Sequence, residues 1–111
     1  MSRRAALIRL SLLIIEFTSL PLLMLASIYL LSGYQMLVPE LRIIPESRKI
    51  HTDRFLRILT ILLTYLHALG GIIIVVERRL RKEVLKNIIR TALITTITFL
   101  LLIFLMIEAT L

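Results

Sequence analysis

The chain has 111 residues, of which 59% are hydrophobic and 19% are charged, and its formal net charge is +7. Such an apolar composition predicts an integral membrane protein and excludes an ordinary soluble domain. Because the sequence contains no cysteine, disulfides, thiolate metal sites and iron–sulfur clusters within this chain are excluded as well.

Three long apolar segments follow one another along the chain, at residues 5–31, 55–76 and 88–107. Each can cross a hydrocarbon core of about 30 Å at a rise of about 1.5 Å per residue. The pattern predicts an all-α integral membrane protein in which three transmembrane helices form an up-down-up bundle, one membrane domain over residues 1–111. An outer loop is expected over residues 32–54 and a basic inner loop over residues 77–87.

The first segment contains two residues that are unusual in a membrane span. Pro21 is expected to kink or locally unwind the helix unless neighbouring groups satisfy the freed carbonyl. Glu16 is a candidate intramembrane polar site, because carboxyl groups at this depth are paired, protonated or functional. It could bond His67, a threonine of the third segment or a quinone hydroxyl, and the simplest interpretation is a protonated carboxyl bonded between helices.

His67 is the outstanding residue of the second segment, because a titratable side chain at that depth costs free energy unless it is ligated or hydrogen-bonded. Gly70 and Gly71 follow it at i+3 and i+4 and leave a flat slot beside the imidazole. A porphyrin needs an axial nitrogen next to a low helix surface. His67 is therefore the candidate ligand of a haem iron, and Gly70 and Gly71 are candidate contacts of the cofactor.

Two further residues of this segment complete the candidate haem site. Thr64 lies one turn before His67 on the same helix face and could fix the imidazole tautomer or contact the cofactor edge. Arg57 lies ten residues before His67, about 15 Å along the axis, and could pair with a haem propionate near the outer surface.

Other interpretations of His67 stay open. The imidazole could instead bond a threonine or glutamate across the bundle, with the glycines allowing close helix packing, or it could belong to a proton or ion pathway. His51 lies 16 residues earlier, about 24 Å along a helix, so the two histidines cannot bind one iron. A second axial ligand would have to come from another subunit or a symmetry mate, and His51 is expected at the outer interface.

The third segment carries Thr91, Thr95 and Thr98 at spacings of four and three residues. Such stripes of small hydroxyl residues pack transmembrane helices together. We therefore expect all three threonines at a helix–helix contact.

The basic residues flank the apolar segments rather than forming a patch of their own. Nine of them lie at the N-terminus and in the inner loop, whereas five lie in the outer loop and at the start of the second segment. This excess predicts that the N-terminus faces inward. Lipid headgroups are the expected contacts of four of these residues, namely Arg78, Arg79, Arg81 and Lys82. No nucleic acid is needed to explain the charge, and the predicted location is a plasma membrane of prokaryotic type.

The stretch from Tyr65 to Ile72 resembles the His-Ala-x-x-Gly signature of the membrane-anchor (cytochrome b) subunits of the succinate dehydrogenase and fumarate reductase family. His67 and Gly71 fall on the matching positions, and the resemblance covers about one helix. It implies three spans, a cytoplasmic N-terminus and a haem b bound by His67. The family often has an Asp-Tyr pair beside its quinone, near the inner end of this helix, whereas this chain has Glu77-Arg78-Arg79 there.

A related resemblance is to the small haem b anchors of hydrogenases and similar oxidoreductases. In that case Ser32-Gly33, His51 and His67 would be the matching elements, although those anchors usually have four or more spans.

The expected function is a membrane-anchor subunit, not catalytic alone, of a respiratory complex with other membrane and peripheral subunits. It would bind haem b and relay electrons to or from quinone. Two alternatives are a haem-free structural or assembly subunit and an oligomeric ion or proton conductor that uses Glu16 and His67.

Overall fold

A computed structural model describes residues 3–111 and contains four helices. Helix α1 covers Arg3–Leu37, α2 covers Ser47–His51, α3 covers Arg54–Arg79 and α4 covers Glu83–Thr110. Helices α1, α3 and α4 are each long and apolar enough to cross a membrane. The predicted all-α character is therefore confirmed, and so is the presence of three helices with the length and apolarity that a membrane span requires.

The connections between the spans are shorter than predicted. Helix α1 continues to Leu37, so the first residues of the predicted outer loop are helical. Helix α3 ends at Arg79 and α4 begins at Glu83, which leaves only residues 80–82 outside helices at the other end. Hydropathy marks where a helix is apolar, and polar residues at its ends can keep the same backbone conformation.

Pro21 lies inside α1, and the helix continues through it. Proline removes one backbone donor and leaves the carbonyl four residues earlier, that of Phe17, without its helical partner. The turns around this point carry additional bonds, because the hydroxyls of Thr18 and Ser19 donate to the carbonyls of Ile14 and Ile15.

The connection between α1 and α3 is held against α1 by Gln35. Its side-chain oxygen accepts from the backbone amides of Ile43 and Ile44, and its nitrogen donates to the Ile44 carbonyl. Glu46 then adopts a left-handed conformation, with φ of 51°, immediately before α2. This connection places α2 and its last residue, His51, beside α1.

Helix α3 is central, because it packs against both α1 and α4, whereas α1 and α4 scarcely contact each other. The start of α1 lies beside the end of α3, where Arg4 bonds Glu77. The start of α3 lies beside the end of α4, where Arg54 and Arg57 bond Glu108.

The buried residues are mostly polar, which is the reverse of a soluble core. Over residues 3–111 only Leu25 and Val76 are buried hydrophobic residues, while the buried polar ones are Ser11, Thr18, Ser32, Glu77, Lys86 and Glu108. Lipid tails solvate leucine as well as a protein interior does, so membrane helices associate through small residues and interhelical polar contacts. The large apolar side chains accordingly cover the outside.

The buried residues of α1 recur every seven positions, at Ser11, Thr18, Leu25 and Ser32. We call this row the α1 seam. A spacing of seven keeps side chains on one side of a helix over two turns each time. The seam is the face that α1 turns toward the rest of the protein, and it carries the contacts of both histidines.

Candidate functional site

His67 lies halfway along α3 and is partly buried against α1. Its Nδ1 is 2.9 Å from the hydroxyl oxygen of Thr18, a residue of the α1 seam. The same hydroxyl lies 2.7 Å from the carbonyl oxygen of Ile14. His67 is therefore bonded across the helix interface to Thr18, which the sequence did not single out.

The two contacts of Thr18 assign the imidazole tautomer. A hydroxyl has one proton, and the shorter contact to the Ile14 carbonyl directs that proton along α1. The Thr18 oxygen is then the acceptor for His67, so Nδ1 carries the imidazole proton. In the neutral form of this imidazole, Nε2 carries the lone pair, and no residue within 3–111 bonds to Nε2.

The two glycines after His67 have different surroundings. A side-chain carbon added to Gly70 would meet Ile15 Cγ1 and the Ser11 carbonyl oxygen, each at 3.1 Å. At Gly71 the same carbon would meet nothing within 4 Å. Gly70 thus provides the close approach of α1 to α3, and Gly71 keeps an open strip of α3 beside the imidazole.

Thr64 faces the other neighbour of α3. It lines a cavity of about 300 Å³ between α3 and α4, whose wall is almost wholly apolar and consists of Thr60, Ile61, Thr64, Tyr65, Ala68, Ile97, Leu100, Leu101 and Phe104. The Thr60 hydroxyl donates within its own helix, to the Leu56 carbonyl. The His67–Thr18 contact and this cavity thus lie on the two sides of the open strip of α3.

Arg57 belongs to a charged cluster at the start of α3. Its guanidinium bonds both carboxylate oxygens of Glu108, at 2.6 and 3.1 Å, and it also donates to the Thr52 carbonyl. Arg54 donates to the backbone carbonyl of Glu108. Within the chain, Arg57 therefore has a bidentate carboxylate partner already.

His51 is held in the same manner as His67 but at the end of α2. Its Nδ1 is 2.8 Å from the hydroxyl of Ser32, and its ring meets Tyr29 edge-on with centroids 5.4 Å apart. Its Cε1 lies within 3.4 Å of the position that a Gly33 side-chain carbon would take. Ser32, Gly33 and His51 are thus brought together, well away from the His67 contact at Thr18.

Glu16 does not bond His67, contrary to one of the sequence-based options. It is exposed on α1, and no hydrogen bond or ion pair joins it to any residue of 3–111. Positions 16 and 18 are two residues apart, which separates their side chains by about 200° around a helix. Since Thr18 faces α3, Glu16 must face outward.

The threonine stripe of α4 is only partly at a helix contact. Thr98 lies 3.0 Å from the Tyr65 hydroxyl of α3, as predicted. Thr91 and Thr95 are exposed, so within this chain the expected helix–helix contact is found only at Thr98. The α3–α4 contact follows Thr98, Ile97 and Leu101 instead.

A second charged cluster, which no sequence pattern predicted, lies where α3 ends and α4 begins. Glu77 bonds Arg4, Lys86 and Arg90, and the side chains of Glu77 and Lys86 are each only 7% exposed. The basic residues next to it, at positions 78, 79, 81 and 82, are exposed. Unlike these neighbours, Glu77 points inward.

The sequence contains a signal that would have found the α1 seam. Ser11, Thr18 and Ser32 fall on one heptad register, with Arg4 and Leu25 on the same register. Small hydroxyl residues on a repeated register predict a helix contact in a membrane. The residues of α3 that contact this register show no comparable pattern in the sequence.

Comparison with protein-family models, with curated proteins and with solved structures finds no match to this chain.

Proposed function

We propose that this protein is a membrane-anchor subunit of a respiratory electron-transfer complex, non-catalytic alone, in which Nε2 of His67 is an axial ligand of a haem b. When bound, the haem would carry single electrons to or from quinone. The observation that carries the proposal is the bond of His67 to Thr18, which leaves Nε2 with a free lone pair beside an open strip of helix.

The residues around His67 suit an axial histidine. Ligating histidines donate their second ring nitrogen to a neighbouring acceptor, which fixes the tautomer and the ring orientation. Thr18 is such an acceptor, at 2.9 Å from Nδ1. Gly71 presents no side chain next to the imidazole, so at this position no side chain of α3 would block a flat macrocycle.

The charges support an inward N-terminus in an up-down-up arrangement. The cluster of Glu77 brings together the start of α1, the end of α3 and the start of α4, which are the most basic parts of the chain. We infer that the exposed basic residues beside it meet anionic lipid headgroups; these residues are Arg78, Arg79, Arg81 and Lys82. The location that we propose is a plasma membrane of prokaryotic type.

The test is a reduced-minus-oxidised absorption spectrum of the protein purified in mild detergent with its native partners. We expect a b-type α-band that disappears in His67→Ala. His51→Ala is the matched control, because His51 is held by a hydroxyl of the same seam and should leave the band unchanged.

A second variant separates haem loss from unfolding. Gly71→Leu fills the open strip next to His67 without meeting any atom within 4 Å at its first side-chain carbon. We expect it to weaken or abolish the α-band while circular dichroism and thermal unfolding stay close to those of the parent. A full band in both His67→Ala and Gly71→Leu would contradict the proposal.

A haem-free structural or assembly subunit is the second candidate, and two observations favour it. Gly70, half of the predicted slot, is covered by Ser11 and Ile15, and Arg57, the predicted propionate partner, is bound by Glu108. This candidate predicts a flat spectrum from intact, partner-bound protein, together with normal partner binding in His67→Ala.

A further inference from the structure

Glu16 differs from Glu77 and Glu108, the two glutamates that join the ends of the long helices. Glu77 and Glu108 are nearly buried, and each bonds two or more basic side chains of the chain itself. Glu16 lies about 20 Å along α1 from Arg3, at hydrocarbon depth, and is exposed with no partner among residues 3–111. A carboxyl group facing lipid is costly unless it is paired, and none of the described residues pairs with Glu16.

The surface around Glu16 has the spacing of a helix-pairing seam. Exposed residues of α1 follow one another at intervals of three and four, at Leu13, Glu16, Leu20, Leu23, Ser27 and Leu30. Alternating steps of three and four are the a and d positions of a coiled coil. We call this row the outer seam.

The outer seam lies opposite the α1 seam. Successive residues rotate by about 100° around a helix, so Glu16 lies about 160° from Thr18 when measured the short way round, and Leu20 lies about 160° from Thr18 on the other side. Helix α1 therefore packs one side against α3, and its opposite side, with the outer seam, has no partner helix among residues 3–111.

We propose that the outer seam is a homodimer interface, in which α1 of one copy pairs in parallel with α1 of a second copy and the two Glu16 carboxyl groups bond each other. Both copies insert in the same orientation, so a symmetric pair places Glu16 opposite Glu16. A neutral carboxyl group both donates and accepts, and two of them satisfy each other in hydrocarbon. A single polar residue among leucines also fixes the register of a helix pair.

Arg9 does not supply the partner that the Glu16 carboxyl group needs. It is exposed on the same side of α1 as Glu16 but seven residues earlier, about 10 Å along the axis. Near the start of α1 its long side chain reaches the headgroups rather than the hydrocarbon. Leu13 lies between the two residues in the shallow groove that they line.

Disulfide crosslinking tests the interface directly, because the chain has no cysteine of its own. Single variants Leu13→Cys and Leu20→Cys place a thiol one turn to either side of Glu16. Phe99→Cys is the matched control, since Phe99 is similarly exposed but lies on α4. In membranes that contain the full-length chain, we expect oxidant to give dimers at Leu13→Cys and Leu20→Cys and none at Phe99→Cys.

Glu16 is then varied in the Leu20→Cys background. Glu16→Gln keeps a donor and an acceptor and should retain the crosslink. Glu16→Leu removes both and should raise the dissociation constant of the dimer roughly 3- to 10-fold. Equal crosslinking of Leu20→Cys and Phe99→Cys would overturn the dimer, and a crosslink that is unchanged in Glu16→Leu would overturn the role of Glu16.

Discussion

Each histidine of this chain is held by a hydroxyl of the α1 seam. Thr18 bonds His67, and Ser32 bonds His51 two heptads later. In both cases the hydroxyl also contacts a carbonyl of its own helix, at Ile14 and Tyr29 respectively. A buried imidazole without a partner would be costly in a membrane, so these hydroxyls stabilise the packed form as well as orienting the rings.

A double-mutant cycle measures the His67–Thr18 bond. In haem-free protein, Thr18→Val and His67→Leu are each expected to destabilise the protein, with a coupling free energy of about 0.6 to 1.7 kcal/mol. Thermal unfolding in detergent gives the four free energies of the cycle.

Thr96→Val is the control for that cycle. Thr96 is exposed on α4 and donates only to the Ala92 carbonyl of its own helix. It should show no coupling to His67→Leu. A coupling energy that is the same for Thr18 and Thr96 would contradict the assigned bond.

At the scale of elements, the approach of α1 to α3 depends on a single missing side chain. A side-chain carbon at Gly70 would meet the backbone of Ser11 and the side chain of Ile15. Membrane helices gain packing and polar contacts when small residues let their backbones approach. Gly70 thus sets the distance between the two helices. That short distance also lets Thr18 reach His67.

Gly70→Ala and Gly71→Ala form a matched pair that tests this packing. Alanine is favoured over glycine in a helix by up to about 1 kcal/mol, so Gly71→Ala should leave the protein equally stable or more stable. At Gly70 the added carbon meets a backbone oxygen at 3.1 Å, which cannot move freely. We expect Gly70→Ala to destabilise the protein by about 1–3 kcal/mol in thermal unfolding. Equal stability of the two variants would rule out the proposed role of Gly70.

At the scale of the whole molecule, charged clusters join the helices at both ends. Glu108 holds the end of α4 to the start of α3 through Arg54 and Arg57. Glu77 and its partners do the same for the other ends of the three long helices. Since few apolar residues are buried between the helices, these clusters and the α1 seam determine how the helices are arranged.

Replacing Glu77 should lower the free energy of unfolding, because its buried partner would lose its counter-ion. Glu77→Gln leaves the nearly buried Lys86 without a counter-ion, and we expect it to destabilise the protein by about 3 kcal/mol. Glu83→Gln, an exposed position of the first turn of α4, should change stability little.

The double variant Glu77→Gln, Lys86→Met checks the cause of that loss. Because it removes the buried charge together with its counter-ion, it should recover part of the stability lost in Glu77→Gln. Arg4 and Arg90 are more exposed and can reach water or headgroups. If Lys86→Met worsened Glu77→Gln, an unpaired buried ammonium would not be the source of the loss.

Part of the site could be predicted from the sequence, since His67 stands out as a titratable residue in an apolar run. The residue that bonds His67 could not be predicted in the same way. Thr18 and Thr95 look alike in the sequence, yet one faces α3 and the other is exposed. Which face of α1 meets α3 depends on the rotation and register of two helices, and these follow from contacts between residues far apart in the chain.

The sequence by itself determined that this is a helical protein with three spans long enough to cross a membrane. Hydrocarbon requires long apolar helices, and that requirement is local and visible residue by residue. The tertiary structure alone decided which polar groups meet. It pairs His67 with Thr18 and Glu77 with Lys86, and it leaves Glu16 facing outward. The physical reason is that lipid accepts any apolar face equally well, so only the packing of helix against helix distinguishes an inner side from an outer one.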